Sequence, residues 1–560
     1  MIIKANTVMF EAITIKNITI ELSMEKNLPA FIIVGLAGRS ISEAKERIKT
    51  AIMNMGISIP ARKIVANLSP ANIIKEGSHF DLPIALSILA SMEIIPSDAL
   101  EEYIIIGELG LNGDILSSKG VLPVCIEANS QQKGVICSYQ NSEESSWSGN
   151  NKVICAKNII DLINHFNGRQ IIASQTTNKV YNKNLINPSK SSNSGNNDPD
   201  DCKDFSEVRS RDNTKRAIEV AIAGGHNILM IGQAGSGKSM LAERIKTIMP
   251  SLTIKEILEI NIIKSIIGEK HFDHNNNQEQ LDTSFQLETT RPYRSPHHTA
   301  SCSAMVGGGR GNNITPGEIS LAHNGILFLD ELPEFKSNII ESLRQPMENG
   351  YIDISRSGTS ARYPCNIQVV AAMNPCKCGY LGDGDRECNK APICGDKYKA
   401  KISGPIIDRF DIIIEVNNKE ENSFFSTNDL LNEDTNISQN NLSPSTDNTI
   451  KNNNNHYSSK MMKERVEKAR DIQKIRFKNI KQDIYTNSQM TGDILRRYTM
   501  PRQETKDIFD LSIKKLKLSM RAATKTLKVS RTIADLDKSL YIEKQHIAEA
   551  LSYRMIKYHK

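Results

Sequence analysis

The 560-residue chain has no long apolar run. Nowhere does it approach the about 18 uncharged residues that a membrane-spanning helix requires, so no membrane partner is expected. Its first residues, MIIKANTVMFEAITIKNITIEL, are cut by Lys4, Glu11 and Lys16 and alternate as a strand does. Neither a secretory leader nor an anchor is therefore expected, and the expected location is cytoplasmic. A charge excess is missing too. Lys+Arg 70 against Asp+Glu 64 leaves +6, which permits a nucleic-acid partner without arguing for one. No internal repeat is visible. Ten cysteines, several of them clustered, do not make a disulfide framework in a chain of this size; in a reducing compartment they read as thiols or metal ligands.

What is present divides into blocks, and length alone sets a prior of about three or four domains. Residues 1–167 alternate strand-like runs (30–36, 63–68, 103–109, 153–155) with helical ones (41–55, 82–90), the pattern of a self-contained α+β domain. Residues 168–204 turn to Asn, Ser, Lys, Asp and Gly (NPSKSSNSGNNDPDDCKD) and bury too little to order themselves, which predicts a linker. Over residues 205–416 four continuous apolar runs, 227–232, 325–330, 367–374 and 411–416, are separated by helical stretches. They predict an α/β fold with a doubly wound parallel sheet that binds its ligand at the carboxyl ends of the strands. Residues 417–459 are a second Asn-rich tract, read as a surface insertion. Residues 460–560 read as helical throughout, in stretches 461–477, 493–497, 504–517, 521–536 and 543–553.

The most specific stretch is NILMIGQAGSGKSML. Gly232, Gln233, Ala234, Gly235, Ser236, Gly237, Lys238 and Ser239 fit the phosphate-loop spacing G-x-x-x-x-G-K-[ST], with a strand before and a helix after. The glycines let successive backbone N–H groups turn inward toward phosphate oxygens, aided by the positive end of the helix that follows. Lys238 is expected to reach the β and γ phosphates of ATP, and Ser239 to ligate Mg2+. Asp330 and Glu331 close the apolar run ILFLDE, at a spacing that suits a strand adjacent to the phosphate-loop strand. Asp330 is expected to hold magnesium and Glu331 to polarise the attacking water as general base. Asn374 ends the next apolar run and is expected to orient that water or touch the γ phosphate.

Two arginines complete the set. Arg409, in SGPIIDRFD, precedes the last strand; in a ring of subunits it reaches the neighbour's γ phosphate as an arginine finger, and otherwise it is a surface ion pair. Arg521 opens a C-terminal helix and is expected to fold back as a second γ-phosphate sensor, with the same alternative.

Three further features are open. Residues 351–367 (YIDISRSGTSARYPCNI) read as a hairpin about a Ser-Gly-Thr-Ser turn, whose Arg356 and Arg362 face DNA phosphates or pair locally. The Gly-rich stretch 306–311 lacks the strand and lysine of a second phosphate site, so a flexible loop carrying Arg310 is expected; His297 and His298 are adjacent and read as loop residues rather than metal ligands. Cys376, Cys378, Cys388 and Cys394 form C-x-C followed by two more cysteines, which is either a zinc (Zn2+) tetrathiolate or a set of free thiols.

The order of these motifs resembles the AAA+ ATPases and, more narrowly, the Mg-chelatase-related ComM/YifB family. The likeness rests on KRAIEVAIAGGHNILMIGQAGSGKSMLA, RPYRSPHHTASCSAMVGGGRG, TPGEISLAHNGILFLDELPEF, LRQPMENGYIDISR, NPCKCGYLGD, SGPIIDRFD and RTIADLD, and it spans the chain apart from the two Asn-rich tracts. It implies an AAA+ core with a helical C-terminal lid, preceded by an α+β domain like that of Lon protease, of the ribosomal S5 domain 2 type. It also implies a hexameric ATPase acting on DNA as a branch-migration or helicase-type motor in recombination or natural transformation. Ala234 and Ser239 stand where the family usually has proline and threonine. Against a Lon-like peptidase, the nucleophile position falls on His79 with Ser78 one residue away, and the lysine position falls near Ala128. The second reading is a magnesium-chelatase-like remodelling or metal-insertion subunit, whose likeness to this chain is expected over the ATPase part alone.

Overall fold

The computed structural model describes residues 2–174, 203–208, 212–268, 287–310, 313–356, 359–381, 388, 391–416, 457–480 and 484–554. Both Asn-rich tracts fall almost wholly outside these residues, and so do the linker and insertion expected there.

The amino-terminal part is a seven-stranded sheet. Its strands are β1 (Ile2–Glu11), β2 (Thr14–Glu25), β3 (Ala30–Val34), β4 (Lys63–Ser69), β5 (Tyr103–Ile105), β8 (Gly134–Ser138) and β9 (Val153–Ala156), in the order β3-β4-β2-β1-β5-β8-β9. A small hairpin of β6 (Glu108–Leu109) and β7 (Ile115–Leu116) stands apart from it. β1 and β2 pair antiparallel from Ile2↔Ser23 to Glu11↔Thr14. β4 buries every second residue, the mark of a strand covered on one face, whereas β8 and β9 are buried throughout. Helix Asp81–Ser91 explains the core: from Asp81 to Ala90 every residue is buried, and Leu82, Ile84, Leu86, Ile88 and Leu89 fill the space under the sheet.

Helix Ile254–Ile267 joins this domain to the next. Gly120 N donates to Ser265 O at 3.0 Å, Ser265 Oγ donates to the buried Glu144 at 2.5 Å, and Lys119 Nζ donates to Ile267 O at 2.7 Å.

The second sheet is parallel and five-stranded: β10 (Ile228–Gly232), β11 (Tyr293–Arg294), β14 (Ile326–Leu329), β17 (Gln368–Met373) and β18 (Ile412–Val416), in the order β11-β14-β17-β10-β18. Sequence predicts four of these strands. β11 escapes because it is two residues long in RPYRSP, with no apolar run to announce it. β10, β14 and β17 are buried at every position, as a sheet covered on both faces demands.

Two hairpins lie outside the sheet: β12 (Gly307–Arg310) with β13 (Asn313–Pro316), and β15 (Tyr351–Arg356) with β16 (Thr359–Pro364). The first corrects the expectation of a flexible Gly-rich loop. Gly307 makes it possible, at φ 108°, because a Cβ there would lie 2.6 Å from Ile354 in the second hairpin. Tyr363 Oη ties the two together by donating to Ile314 O at 2.5 Å.

The C-terminal helices are Ser459–Phe477, Gly492–Thr499, Gln503–Leu516, Met520–Leu536 and Lys544–Ser552. Met462, Val466, Ala469, Val529 and Ile533 share one core with Ile218, Ile222 and Ile228.

Candidate functional site

The strand order decides what the carboxyl end of the second sheet can hold. The acidic pair was expected on a strand next to β10, but β17 lies between β10 and β14. Helix Lys238–Ile248 compensates by starting above the sheet, so that position 239 reaches across it. Ser239 Oγ donates to Asp330 Oδ2 at 2.8 Å. Hydroxyl and carboxylate together offer the oxygen ligands that magnesium takes.

The phosphate loop is built by three glycines for two reasons. Gly235 and Gly237 sit at φ 77° and 81° with open space around them, so a side chain there would strain the backbone rather than clash. Gly232 is needed for closeness: a Cβ would lie 2.4 Å from Val416 O on the neighbouring strand. Lys238 is folded into the loop, where its Nζ donates to Gly232 O and Gln233 O at 2.8 Å, Asn374 Oδ1 at 3.1 Å and Ser236 Oγ at 3.2 Å. Burial lowers its pKa, opposed by the charges of Asp330 and Glu331. Asn374 thus meets the phosphate-loop lysine from the end of β17.

Glu331 stands in the left-handed region at φ 51°, ψ 48°, uncommon for a residue other than glycine or asparagine. Its N–H donates to Asp330 Oδ1 at 2.9 Å, and its carboxylate faces His298 Nδ1 at 3.7 Å. His298 rests on Phe335 and on His297, ring centroids 6.4 and 4.1 Å away. From sequence this histidine is expected in a loop; the pairing of β11 with β14 is what carries SPHH to the acidic pair.

The arginines are at the other end. Asp411 N donates to Asn227 O at 2.9 Å, so Arg409 lies beside the start of β10 and β18, a strand length of about 16 Å from the phosphate loop. Arg521 does not fold back onto that loop. Its helix is held at the amino end of the strands by Lys525 on Asp411 (2.8 Å) and by Thr532 on His226 (2.8 Å). Both guanidiniums meet one carboxylate, Glu348 Oε1, at 2.9 Å from Arg409 and 2.7 Å from Arg521. Arg409 Nη1 also donates to Pro405 O at 2.6 Å, while its buried Nε has no partner.

These groups line a cavity of about 730 Å³ together with Arg291, Arg470 and Lys525. Burial pushes the Arg470 guanidinium down to about 9. Glu348, in PMENG, is the second residue that sequence reading missed.

The remaining candidates separate. Arg362 pairs with Asp353 (2.7 Å) and stacks on Tyr351, yet its side chain is 63% exposed. The four cysteine sulfurs all lie within 4.8 Å of one another. At the position considered for a peptidase, Ser78 donates to Glu108, while Lys75 is used by Gly35 O and Pro70 O.

A family model described as "Magnesium chelatase, subunit ChlI" matches residues 204–424, a second, "Subunit ChlI of Mg-chelatase", matches 20–141, and the C-terminal ChlI model matches 456–554. Competence protein ComM of Haemophilus influenzae is 35% identical over 540 residues, 96% of this chain and 94% of its own length. The chain belongs to the ComM/YifB family. The uncharacterized protein YifB of Escherichia coli is 34% identical over the same share of each chain. DNA replication licensing factor mcm-6 of Caenorhabditis briggsae is 29% identical over 99 residues, 18% of this chain and 11% of its own.

The family is Mg-chelatase-related and AAA+, which brings ATP and magnesium as its cofactors and ATP hydrolysis as its chemistry. The match over 20–141 corrects the expectation that likeness to the chelatase subunit is confined to the ATPase part. Among the described residues no helix is long and apolar enough to cross a membrane.

Proposed function

We propose that this protein is a cytoplasmic, ring-forming ATPase, a hexamer by family resemblance, that turns ATP hydrolysis into movement along DNA, with branch migration in recombination or natural transformation as its task. One observation carries the reading. The phosphate loop and acids sit at the carboxyl end of the sheet, while Arg409 and Arg521 sit at its amino end, so a complete site needs a second copy of the chain.

In that ring, Gly232 to Ser239 cradle the phosphates and Ser239 and Asp330 hold magnesium. Glu331 activates water, steadied by His298, and Asn374 orients it. The neighbour's Arg409 and Arg521 neutralise charge on the γ phosphate. The amino-terminal domain serves assembly or DNA contact, and its Lon-like ancestry belongs to the same proposal.

The DNA half of the reading is supported by the two joined hairpins. By register, Arg310 and Arg356 are the last strand positions before each turn, opposite Asn313 and Thr359. A basic residue next to the turn of each hairpin suits phosphate contacts without sequence preference. The name of the Haemophilus relative and the local likeness to a replication factor favour this over metal insertion.

The test is ATPase activity with and without a synthetic four-way junction, in the wild type and in Arg310→Ala/Arg356→Ala. Junction-stimulated turnover that the double variant loses, with basal turnover kept, supports the motor. Turnover indifferent to any DNA but raised by a tetrapyrrole-binding protein would return the chelatase-like reading.

A further inference from the structure

The cysteine cluster is not used by the proposed ATPase chemistry, yet it sits against the phosphate loop. Cys376 and Cys378 belong to the turn that leaves β17 just after Asn374, and Cys394 lies in helix Ile393–Lys399. The sulfurs of Cys376 and Cys378 are 3.1 Å apart, well beyond the about 2.05 Å of a disulfide. All four sulfurs fall within 4.8 Å of one another, whereas four thiolates about 2.3 Å from one zinc stand about 3.8 Å apart. Adjustments of about 1 Å or less bring one set to the other, the Cys376–Cys378 pair opening and the longest separations closing.

The backbone fits the same purpose. Gly379 turns at φ 85°, and its N–H donates to Cys376 O at 3.0 Å.

We propose that Cys376, Cys378, Cys388 and Cys394 bind one structural zinc ion, and that this ion holds the 375–381 turn against the phosphate loop. A Cβ on Gly379 would lie 3.2 Å from the Ala234 Cβ, so turn and loop are in contact already. A Cβ on Gly395 would lie 2.5 Å from Leu381, which locks helix Ile393–Lys399 to the same turn. With the ion bound, the turn, the helix and Asn374 move as one piece, and Asn374 is the acceptor for Lys238. Soft thiolates select zinc over magnesium, so the ion is distinct from the one that accompanies ATP. Binding releases the four thiol protons to solvent.

The experiment uses the full chain from zinc-supplemented medium. Elemental analysis is expected to find one zinc per chain, and exchange with cobalt(II) to give thiolate charge-transfer and tetrahedral ligand-field absorption. Cys378→Ser alters the exposed ligand, so folding is kept and checked by circular dichroism. It is expected to lose zinc and to bind a fluorescent ATP analogue on the order of tenfold more weakly. Chelator treatment of the wild type should do the same.

Lys238→Ala keeps its zinc, which separates failure of the metal site from failure of the ATPase reading. A wild-type protein with no zinc that takes up no cobalt, or one holding iron instead, overturns the assignment. A Cys378→Ser protein that loses zinc but binds the analogue at wild-type affinity overturns the coupling to the phosphate loop.

Discussion

The two ends of the parallel sheet are built from opposite materials. At the carboxyl end, glycines in left-handed geometry, one lysine, a serine and two carboxylates surround an open cradle, and their hydrogen bonds run among themselves. At the amino end, arginines and lysines line a cavity, and one carboxylate, Glu348, serves two of them. The first end can grip a triphosphate, but Arg409 and Arg521 are not there to answer the charge that develops on it. The second has the guanidiniums but no cradle. A chain so divided is half a site twice over, and under the proposed function another copy joins the halves.

The largest expected effects test the first end. Lys238→Ala should abolish nucleotide binding as well as turnover. Glu331→Gln should keep binding while hydrolysis falls about 100- to 10,000-fold, the range for losing a general base. Equilibrium binding of a fluorescent analogue beside steady-state phosphate release separates them. If Glu331→Gln loses binding instead, the carboxyl end does not have the division of labour described.

Next comes the second end. Arg409→Ala should leave nucleotide affinity of the isolated chain unchanged and lower turnover on the order of 1,000-fold, as loss of an arginine finger does. Arg521→Ala should act in the same direction and more weakly, since its side chain is 48% exposed against 10% for Arg409. Mixing inactive Lys238→Ala with inactive Arg409→Ala should restore turnover, because each supplies the half the other lacks. Mixtures that stay inactive under assembly conditions would break the comparison between the ends.

How much of this was legible in sequence follows the same division. The carboxyl end is contiguous in its chemistry: a phosphate loop, an acidic strand end and an asparagine strand end each announce themselves by type and spacing. Strand order does not, because β11 is too short to show periodicity and because which strand neighbours which is settled by packing. Hence the acidic strand was expected beside β10, and His298 was left out of the site. The amino end is assembled from residues 348, 409 and 521, brought together only by the docking of helix Met520–Leu536 through Lys525 and Thr532. No local pattern reveals that Glu348 faces two arginines.

A smaller effect is expected with pH. His226, at the amino end, and His79, in the first domain, are pushed down from 6.5 to about 4 by burial. Between those values the folded imidazoles stay neutral while the unfolded ones take a proton. Stability is therefore full above about pH 6.5 and falls as pH drops toward 4, by on the order of 3 kcal/mol for each histidine. Denaturant midpoints from pH 7 to 4.5 should show the fall, and His226→Gln should flatten part of it.

The smallest expected effect concerns what Glu348 does for the pair it holds. Its carboxylate neutralises Arg409 and Arg521 in the lone chain, and an incoming γ phosphate would have to take both guanidiniums from it. Glu348→Gln keeps the shape and one acceptor oxygen but removes the charge, so the single chain should lose only about 1 kcal/mol of stability, discounted by the 37% exposure of Glu348. The arginines then meet a neighbour's phosphate without a competitor. Half-maximal turnover should be reached at several-fold lower protein concentration, and sedimentation should show assembly shifted the same way. The opposite result is informative in a different direction: if Glu348→Gln loses turnover as deeply as Arg409→Ala, the carboxylate aims the guanidiniums rather than restraining them.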